Sequence, residues 1–111
     1  RSAAAKKEIV SLREKIRKRC KFPIVEYAFL DINRPAILQG VDCCVKKGAK
    51  KVTVLYNFLN SGNHVTKDVS RLFAIAKKKY PQVGFIMTSP IGQNPKIIDL
   101  FLGELMAANR K

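Results

Sequence analysis

The fold is decided by residues 48–69, GAKKVTVLYNFLNSGNHVTKDV, because this stretch passes from strand to loop to helix. Residues 52–56 (VTVLY) are β-branched and apolar, which is typical of a short buried strand. A polar loop through His64 follows, and the apolar spacing of residues 66–80 predicts a helix with a lysine-rich last turn. One strand followed by one amphipathic helix is the repeating unit of parallel α/β sheets.

The same unit occurs on either side of this stretch. Residues 24–30 (IVEYAFL) and 83–88 predict two further strands, and a helix follows each of them. The first of these helices opens at Pro35 and closes at Gly48. A helix over residues 6–20 opens the chain without a strand before it. We therefore predict an α/β fold with three parallel strands and right-handed crossovers, and we expect a missing first strand to be supplied from elsewhere.

The composition fits one globular domain, residues 1–111. Apolar residues make up nearly half of the chain, but no apolar run reaches the length of a membrane span and no signal-peptide pattern opens the sequence. The cysteines Cys20, Cys43 and Cys44 are odd in number. They predict reduced thiols in a cytoplasmic protein rather than a disulfide framework.

The net charge of +14 is large for this length and suggests a polyanionic partner. Nucleic acid is the commonest such partner, and a multiply carboxylated small molecule is a rarer one. A lysine-rich surface that is simply solvated needs no partner. Charge alone leaves these three interpretations open.

Candidate site residues lie in the segments that follow the predicted strands. The carboxyl ends of parallel strands share one edge of a sheet, so residues 31–34, 57–64 and 89–94 are expected to face one cleft. The residues we expect at this cleft are Asp31, Ser61, Gly62, Asn63, His64 and the turn PIGQN (residues 90–94), which ends at Asn94. Ser61, Gly62 and Asn63 would offer backbone N–H groups to an anion. Because neither glycine-rich phosphate motif is present, we do not expect a nucleotide site.

His64 is the only histidine, and its imidazole is able to ligate a metal or to accept a proton. Asp68 lies four residues further on, so a helix that begins by Val65 would place it one turn below His64, where it would orient the ring. The simpler interpretation is a solvated loop histidine. Asp31 has the same ambiguity, either as a neighbour of a helix N-terminus or as an acid–base group.

Three blocks of the sequence resemble the small CbiX/SirB-type class II chelatases, the sirohydrochlorin cobalto- and ferrochelatases. The blocks are VEYAFLDINRPAI (residues 25–37), the stretch 48–69 and SPIGQNP (residues 89–95), and they span essentially the whole chain in order. The most specific segment is FLNSGNHVTKDV, in which an apolar pair, a glycine, a histidine and an aspartate precede the helix.

The resemblance implies a fold and a reaction. The fold is a flavodoxin-like (chelatase-like) three-layer lobe, whose cleft is completed by a second lobe of the same chain or by a homodimer partner. The reaction is insertion of Co²⁺ or Fe²⁺, as the substrate metal, into a carboxylated tetrapyrrole such as sirohydrochlorin, with neither ATP nor an organic cofactor.

The resemblance also implies roles for individual residues. His64 would be a metal ligand and a proton acceptor, and Asp31, where the family usually has glutamate, would be a second ligand. Glu26 is a further carboxylate of the same block, which we take as a catalytic candidate. The basic charge also gains a partner, because cations that flank the predicted cleft would pair with the tetrapyrrole carboxylates. These cations are Arg34, Lys67 and Lys96.

The chain departs from the family at two places. Members begin with a strand ending in a Gly-His-Gly-Ser-Arg-like motif, whose histidine is a second metal ligand, whereas this sequence opens at Arg1-Ser2 as if cut inside that motif. Many members also have a histidine at the position of Asn94. The alternative is therefore a non-catalytic lobe that binds tetrapyrrole or metal. A basic nucleic-acid-binding domain is less favoured, because no nucleic-acid motif is present.

Overall fold

The computed structural model describes residues 3–30, 35–59 and 62–110, and for residues 63–66 it describes the backbone alone. Four α-helices, two strands and one 3₁₀ turn make up the described chain. In order they are α1 (Ala3–Arg19), α2 (Ile37–Lys46), β1 (Lys51–Val54), α3 (Asn63–Lys79), β2 (Gly84–Met87), the 3₁₀ turn (Ile91–Gln93) and α4 (Ile97–Ala108). None of the helices in these ranges is both long and apolar enough to cross a membrane.

The two strands pair in parallel, with Val52 opposite Phe85 and Val54 opposite Met87. The pairing continues beyond the strand ends, since the Gly84 amide donates to the Lys50 carbonyl over 3.0 Å. α3 makes the crossover between the strands, as a parallel pair requires. The predicted α/β class and the parallel sheet are therefore confirmed.

Residues 24–30 do not form the third strand that their apolar pattern predicts. They are extended, and within the described chain their ladder pairing is one isolated bridge, Phe29 to Ala36. The Phe29 amide donates to the Pro35 carbonyl over 2.8 Å. The run packs on α2, where a Cβ placed on Gly40 would lie 3.0 Å from the Cβ of Ala28. A strand requires a neighbouring strand for its amide and carbonyl groups, and an apolar pattern predicts burial without specifying that neighbour.

In the part of the chain that the structure describes, the buried apolar side chains come from α2, α3 and the strand regions. They are Val41, Val52, Tyr56, Val69, Ala76 and Val83. Phe73 of α3 meets Phe85 of β2 edge to face, with ring centroids 5.6 Å apart, so α3 packs directly on the sheet. This contact anchors the helix that carries His64.

Two helix boundaries affect the site. α3 begins at Asn63, three residues before the predicted start, so His64 lies in the first helical turn rather than in a loop. The condition for a one-turn spacing between His64 and Asp68 is therefore met. α2 ends as predicted, with Gly48 in the left-handed region at φ 100°.

Candidate functional site

The loops that follow the two strands lie against each other at one edge of the sheet. The Ile91 amide donates to the Tyr56 carbonyl over 3.0 Å, and the Gly92 amide donates to the Phe58 carbonyl over 3.1 Å. The 3₁₀ turn is thus fixed on the loop after β1. This is the edge at which ligands bind in parallel α/β sheets.

A cleft of about 220 Å³ opens beside the start of α2 and the first turns of α3. Six apolar residues, one acidic side chain and one basic side chain line it, and polar and apolar atoms share its surface about equally. The lining residues are Phe29, Leu30, Ala36, Ile37, Leu38, Asp68, Arg71 and Leu72. Its volume is below the roughly 300–1,000 Å³ of typical small-molecule pockets, so the cleft would hold only part of a large ligand.

The charged pair of the cleft is contributed by α3. A guanidinium nitrogen of Arg71 lies 3.9 Å from a carboxylate oxygen of Asp68, and 65% of the Arg71 side chain is exposed. An ion pair with this separation and this exposure to solvent is weak. Arg71 is therefore open to a second anionic partner.

His64 precedes Asp68 by one helical turn, and its side chain lies outside the described atoms. The spacing of positions 64, 68, 71 and 72 is i, i+4, i+7 and i+8, which shares one face of a helix. Three of these four positions line the cleft. The predicted histidine position and the observed cleft therefore belong to the same face of α3.

The start of α3 is suited to an anion. Gly62 is its N-cap residue, no side chain caps it, and its first turn holds no acidic residue. The first amide groups of a helix and the helix dipole both attract negative charge. Gly62 and Lys67 are exposed beside these groups.

Asn94 and Lys96 are exposed at the turn that leads into α4. The Asn94 side-chain oxygen accepts a hydrogen bond from the Lys96 amide over 2.9 Å, and the Asn94 carbonyl accepts one from the Ile97 amide. Asn94 thus shapes this turn. The Lys96 side chain extends from the same segment.

The structure does not bring Glu26 to the cleft. Its carboxylate lies 2.5 Å from the Lys47 ammonium, just beyond the end of α2. The cleft is lined by the start of α2, and the ten residues of this helix span about 15 Å. The extended residues 24–30 run alongside α2, so Glu26 lies near the C-terminal end of the helix, away from the cleft.

The remaining predicted site residues lie wholly or partly outside the described residues. Asp31, Arg34 and Ser61 lie outside the described ranges, and Asn63 and His64 are described by their backbone alone. Among the described side chains no three His, Cys, Asp or Glu groups are close enough to hold a metal ion. His64 and Asp31 are not among those described side chains.

Arg71 is the cleft residue that sequence reasoning missed. Its spacing of seven from His64 and three from Asp68 would have identified it, because those separations recur on one helix face. The charge count alone did not single it out among 22 basic residues.

A second charged cluster joins α2 to the far end of α3. The Tyr80 hydroxyl donates to the Asp42 carboxylate, and the Lys79 ammonium lies 3.1 Å from it. Tyr80 and Lys79, as donors, hold the pKa of Asp42 below its ordinary value. The hydrogen bond from Tyr80 to Asp42 also raises the pKa of Tyr80. The cluster lies four turns from His64, so we assign it to stability.

The parallel strand pair and its crossover helix place the chain in the class of α/β lobes. Comparison with known proteins narrows the class. The CbiX family model matches residues 1–107. The chain belongs to the CbiX family.

Proteins with sequences similar to this chain include sirohydrochlorin chelatases. The chain is 30% identical to a sirohydrochlorin cobaltochelatase of Methanocaldococcus jannaschii, covering 88% of the chain and 85% of that protein. It is 34% identical to the chloroplastic sirohydrochlorin ferrochelatase of Arabidopsis thaliana, over 71% of the chain and 35% of that protein. The chain thus spans only about a third of the second relative.

A solved structure gives the same fold. The sirohydrochlorin chelatase SirB from Bacillus subtilis subspecies spizizenii, in complex with cobalt, superposes with a TM-score of 0.87 at 25% identity. The alignment covers 96% of this chain and 46% of SirB. The chelatase-like fold predicted from the sequence is therefore confirmed.

Proposed function

We propose that this chain is a lobe of a chelatase that inserts Co²⁺ or Fe²⁺ into a sirohydrochlorin-like tetrapyrrole without ATP. The observation that carries the proposal is the family match over residues 1–107. The relatives named above are cobalto- and ferrochelatases, which supports both substrate metals. The cleft beside α3 lies on the helix face that also carries position 64, which supports assigning the proposed site to this edge of the sheet.

Metal insertion replaces two pyrrole N–H protons of the macrocycle with one divalent cation. The protein therefore has to deliver a metal, take up protons and hold the ring. We assign metal delivery to His64, because neutral imidazole suits divalent first-row metals, and to Asp31 as the second ligand. A neutral imidazole has one basic nitrogen, so His64 takes up one pyrrole proton once the metal has passed to the macrocycle, and the second proton is released to solvent.

Binding of the tetrapyrrole carboxylates is assigned to the basic side chains around the cleft and to the start of α3. Arg71 has the shape for two parallel hydrogen bonds to a carboxylate, and its guanidinium is exposed. The other groups of the proposed ring site are Arg34, Ser61, Gly62, Asn63, Lys67, Asn94 and Lys96. Glu26 is left out, because Lys47 already holds its carboxylate at the other end of α2.

One histidine and one carboxylate make a weak metal site for a divalent cation. We therefore propose that a second lobe completes the cleft. Either a homodimer partner or another part of the same polypeptide would supply it. The cytoplasmic location expected from the cysteines remains a prediction.

The alternative function is a lobe that binds tetrapyrrole and metal without inserting one into the other. Anaerobic incubation of the purified chain with sirohydrochlorin and Co²⁺, followed by macrocycle absorbance, separates the two. An insertion rate above that of metal and tetrapyrrole alone supports the chelatase. Tetrapyrrole binding with no increase in rate supports the alternative. Salt-dependent DNA binding without tetrapyrrole binding would contradict both.

A further inference from the structure

Half of the lysine and arginine residues lie at one edge of the lobe, opposite the candidate site. In a strand–helix unit the helix runs back along the sheet, so the last turns of the helices and the first residues of the strands share an edge. Eleven of the 22 basic residues belong to three segments there, and all eleven are exposed. The segments are RKRCK (residues 17–21), KKGAKK (residues 46–51) and KKK (residues 77–79). We call their eleven cations the basic edge.

Contacts between described residues bring the three segments together. The Lys79 ammonium lies 3.1 Å from the Asp42 carboxylate, which joins the end of α3 to α2. The Lys47 ammonium pairs with Glu26, which comes only five residues after Lys21, so the end of α1 lies beside the end of α2. β1 begins at the last lysine of the second segment. The basic edge is therefore one continuous surface.

Few carboxylates balance this charge. Within the described chain, three of the eleven cations have a carboxylate partner, which is Glu14, Glu26 or Asp42. Eight positive charges remain without one. The helix dipole stabilises a cation in the last turn of a helix, which accounts for residues 17–19 and 77–79. Lys21, Lys50 and Lys51 lie outside the helices, so the fold alone does not account for the charge of this edge.

Phe22 is the one exposed aromatic side chain at the described basic edge. It follows Lys21 directly, and its exposed fraction is 67%. An apolar ring among cations is typical of surfaces that bind anionic lipid, because the cations meet the headgroups while the ring enters the boundary with the acyl chains. Nucleic acid is the other common polyanion, and single strands stack successive bases on several aromatic side chains. One phenylalanine provides no such platform, so the composition favours lipid.

We propose that the basic edge, together with Phe22, docks on a membrane surface rich in anionic phospholipid. Each cation close to such a surface strengthens binding roughly five-fold, so several acting together hold the chain there reversibly. The candidate cleft lies at the other edge of the sheet, so it faces away from the lipid and stays open. The proposed surface rests on the placement of charge and does not depend on the proposed reaction.

Co-sedimentation of the 111-residue chain with vesicles tests the surface. Vesicles of equal parts phosphatidylcholine and phosphatidylglycerol should bind it at least about tenfold more tightly than phosphatidylcholine alone, and added salt should release it. Lys50→Gln combined with Lys51→Gln should weaken binding to the mixed vesicles about tenfold or more. Lys6→Gln combined with Lys7→Gln is the matched control and should bind like the parent. Lys7 lies about 16 Å along α1 from Lys18, which exceeds a Debye length at physiological salt.

Phe22→Ser separates lipid from nucleic acid as the partner. It should weaken binding to the mixed vesicles several-fold and leave binding to transfer RNA unchanged, because only the lipid has an apolar layer for the ring. Equal binding to the two kinds of vesicle, or equal losses in the two lysine double variants, would overturn the proposed surface. Tighter binding to transfer RNA than to the mixed vesicles, at equal phosphate concentration, would overturn lipid as the partner. Neither metal nor tetrapyrrole is present in these measurements, so they are independent of the proposed reaction.

Discussion

Gly92 lies directly against the backbone of Leu59, so closely that a Cβ at position 92 would stand 1.9 Å from the Leu59 carbonyl oxygen. The contact joins the loop after β1 to the loop after β2. Because the contacted atoms are backbone, no side-chain rotation relieves the overlap. The sheet edge that carries the proposed site therefore requires glycine at this position.

Gly92→Ala should destabilise the fold by about 1–3 kcal/mol, the usual cost of forcing extra atoms into a close contact. The free energy of urea unfolding measures this change. Gly103→Ala is the control, because nothing lies within 4 Å of its added Cβ and alanine favours a helix interior. The control should be stabilised by roughly 0.5–1 kcal/mol. Equal stability of the two variants would contradict the close contact at Gly92.

The Asp42 cluster predicts an acid dependence of stability. The pKa of Asp42 is lower in the folded state than its ordinary value of 3.8, chiefly because Tyr80 and Lys79 donate to it. Its contribution is therefore present above about pH 4 and is lost as the pH falls through the folded pKa. Asp42→Asn should cost about 1 kcal/mol at pH 7 and flatten the acid limb of unfolding free energy against pH. Asp99→Asn, on an exposed turn of α4, should leave that limb unchanged.

Arg71 predicts an effect on substrate affinity. Arg71→Gln should raise the KM for the tetrapyrrole several-fold and leave kcat close to that of the parent, because the role proposed for the guanidinium is to bind a carboxylate away from the pyrrole nitrogens. Lys78→Gln makes the same charge change in the last turn of α3 and should have a smaller effect. Steady-state kinetics at two ionic strengths measure the difference. Equal KM values for the two variants would remove Arg71 from the site.

Cys44 should resist alkylation in the folded protein. Burial is the main cause that raises the pKa of its thiol, and the negative charge of Glu26 adds to it. Since the thiolate is the reactive form, its labelling by iodoacetamide at pH 8 should be at least about tenfold slower than in urea. Peptide mass spectrometry follows the modification. Equal rates in the two conditions would show that the fold does not shield this half-buried thiol.

Periodicity predicted the helices and the parallel sheet well, because each element carries its own apolar pattern. It was wrong for residues 24–30, since strand pairing depends on a neighbour that the pattern does not contain. It also placed His64 in a loop, whereas α3 starts at Asn63. No side-chain cap marks that start, so the sequence lacks the usual signal of a helix N-terminus.

The candidate site was predicted unevenly for similar reasons. The edge of the sheet followed from topology, and the structure places the loops after β1 and β2 in contact there. Glu26 was grouped with the site because it is close in sequence to Asp31, but the extended run carries it towards Lys47. Arg71 was overlooked because it comes from the middle of a helix. Contacts between distant residues decide such cases, and local spacing does not encode them.

The central claim is that His64 delivers the metal, and the most direct test is the rate of Co²⁺ insertion by His64→Ala. Ser70→Ala is the control, because Ser70 is exposed on the same helix and lies off the cleft face. Circular dichroism should show the same fold for both variants. We expect His64→Ala to lose about a hundred-fold or more in rate and Ser70→Ala to retain the parent rate. A folded His64→Ala variant that inserts Co²⁺ as fast as the parent would contradict the account.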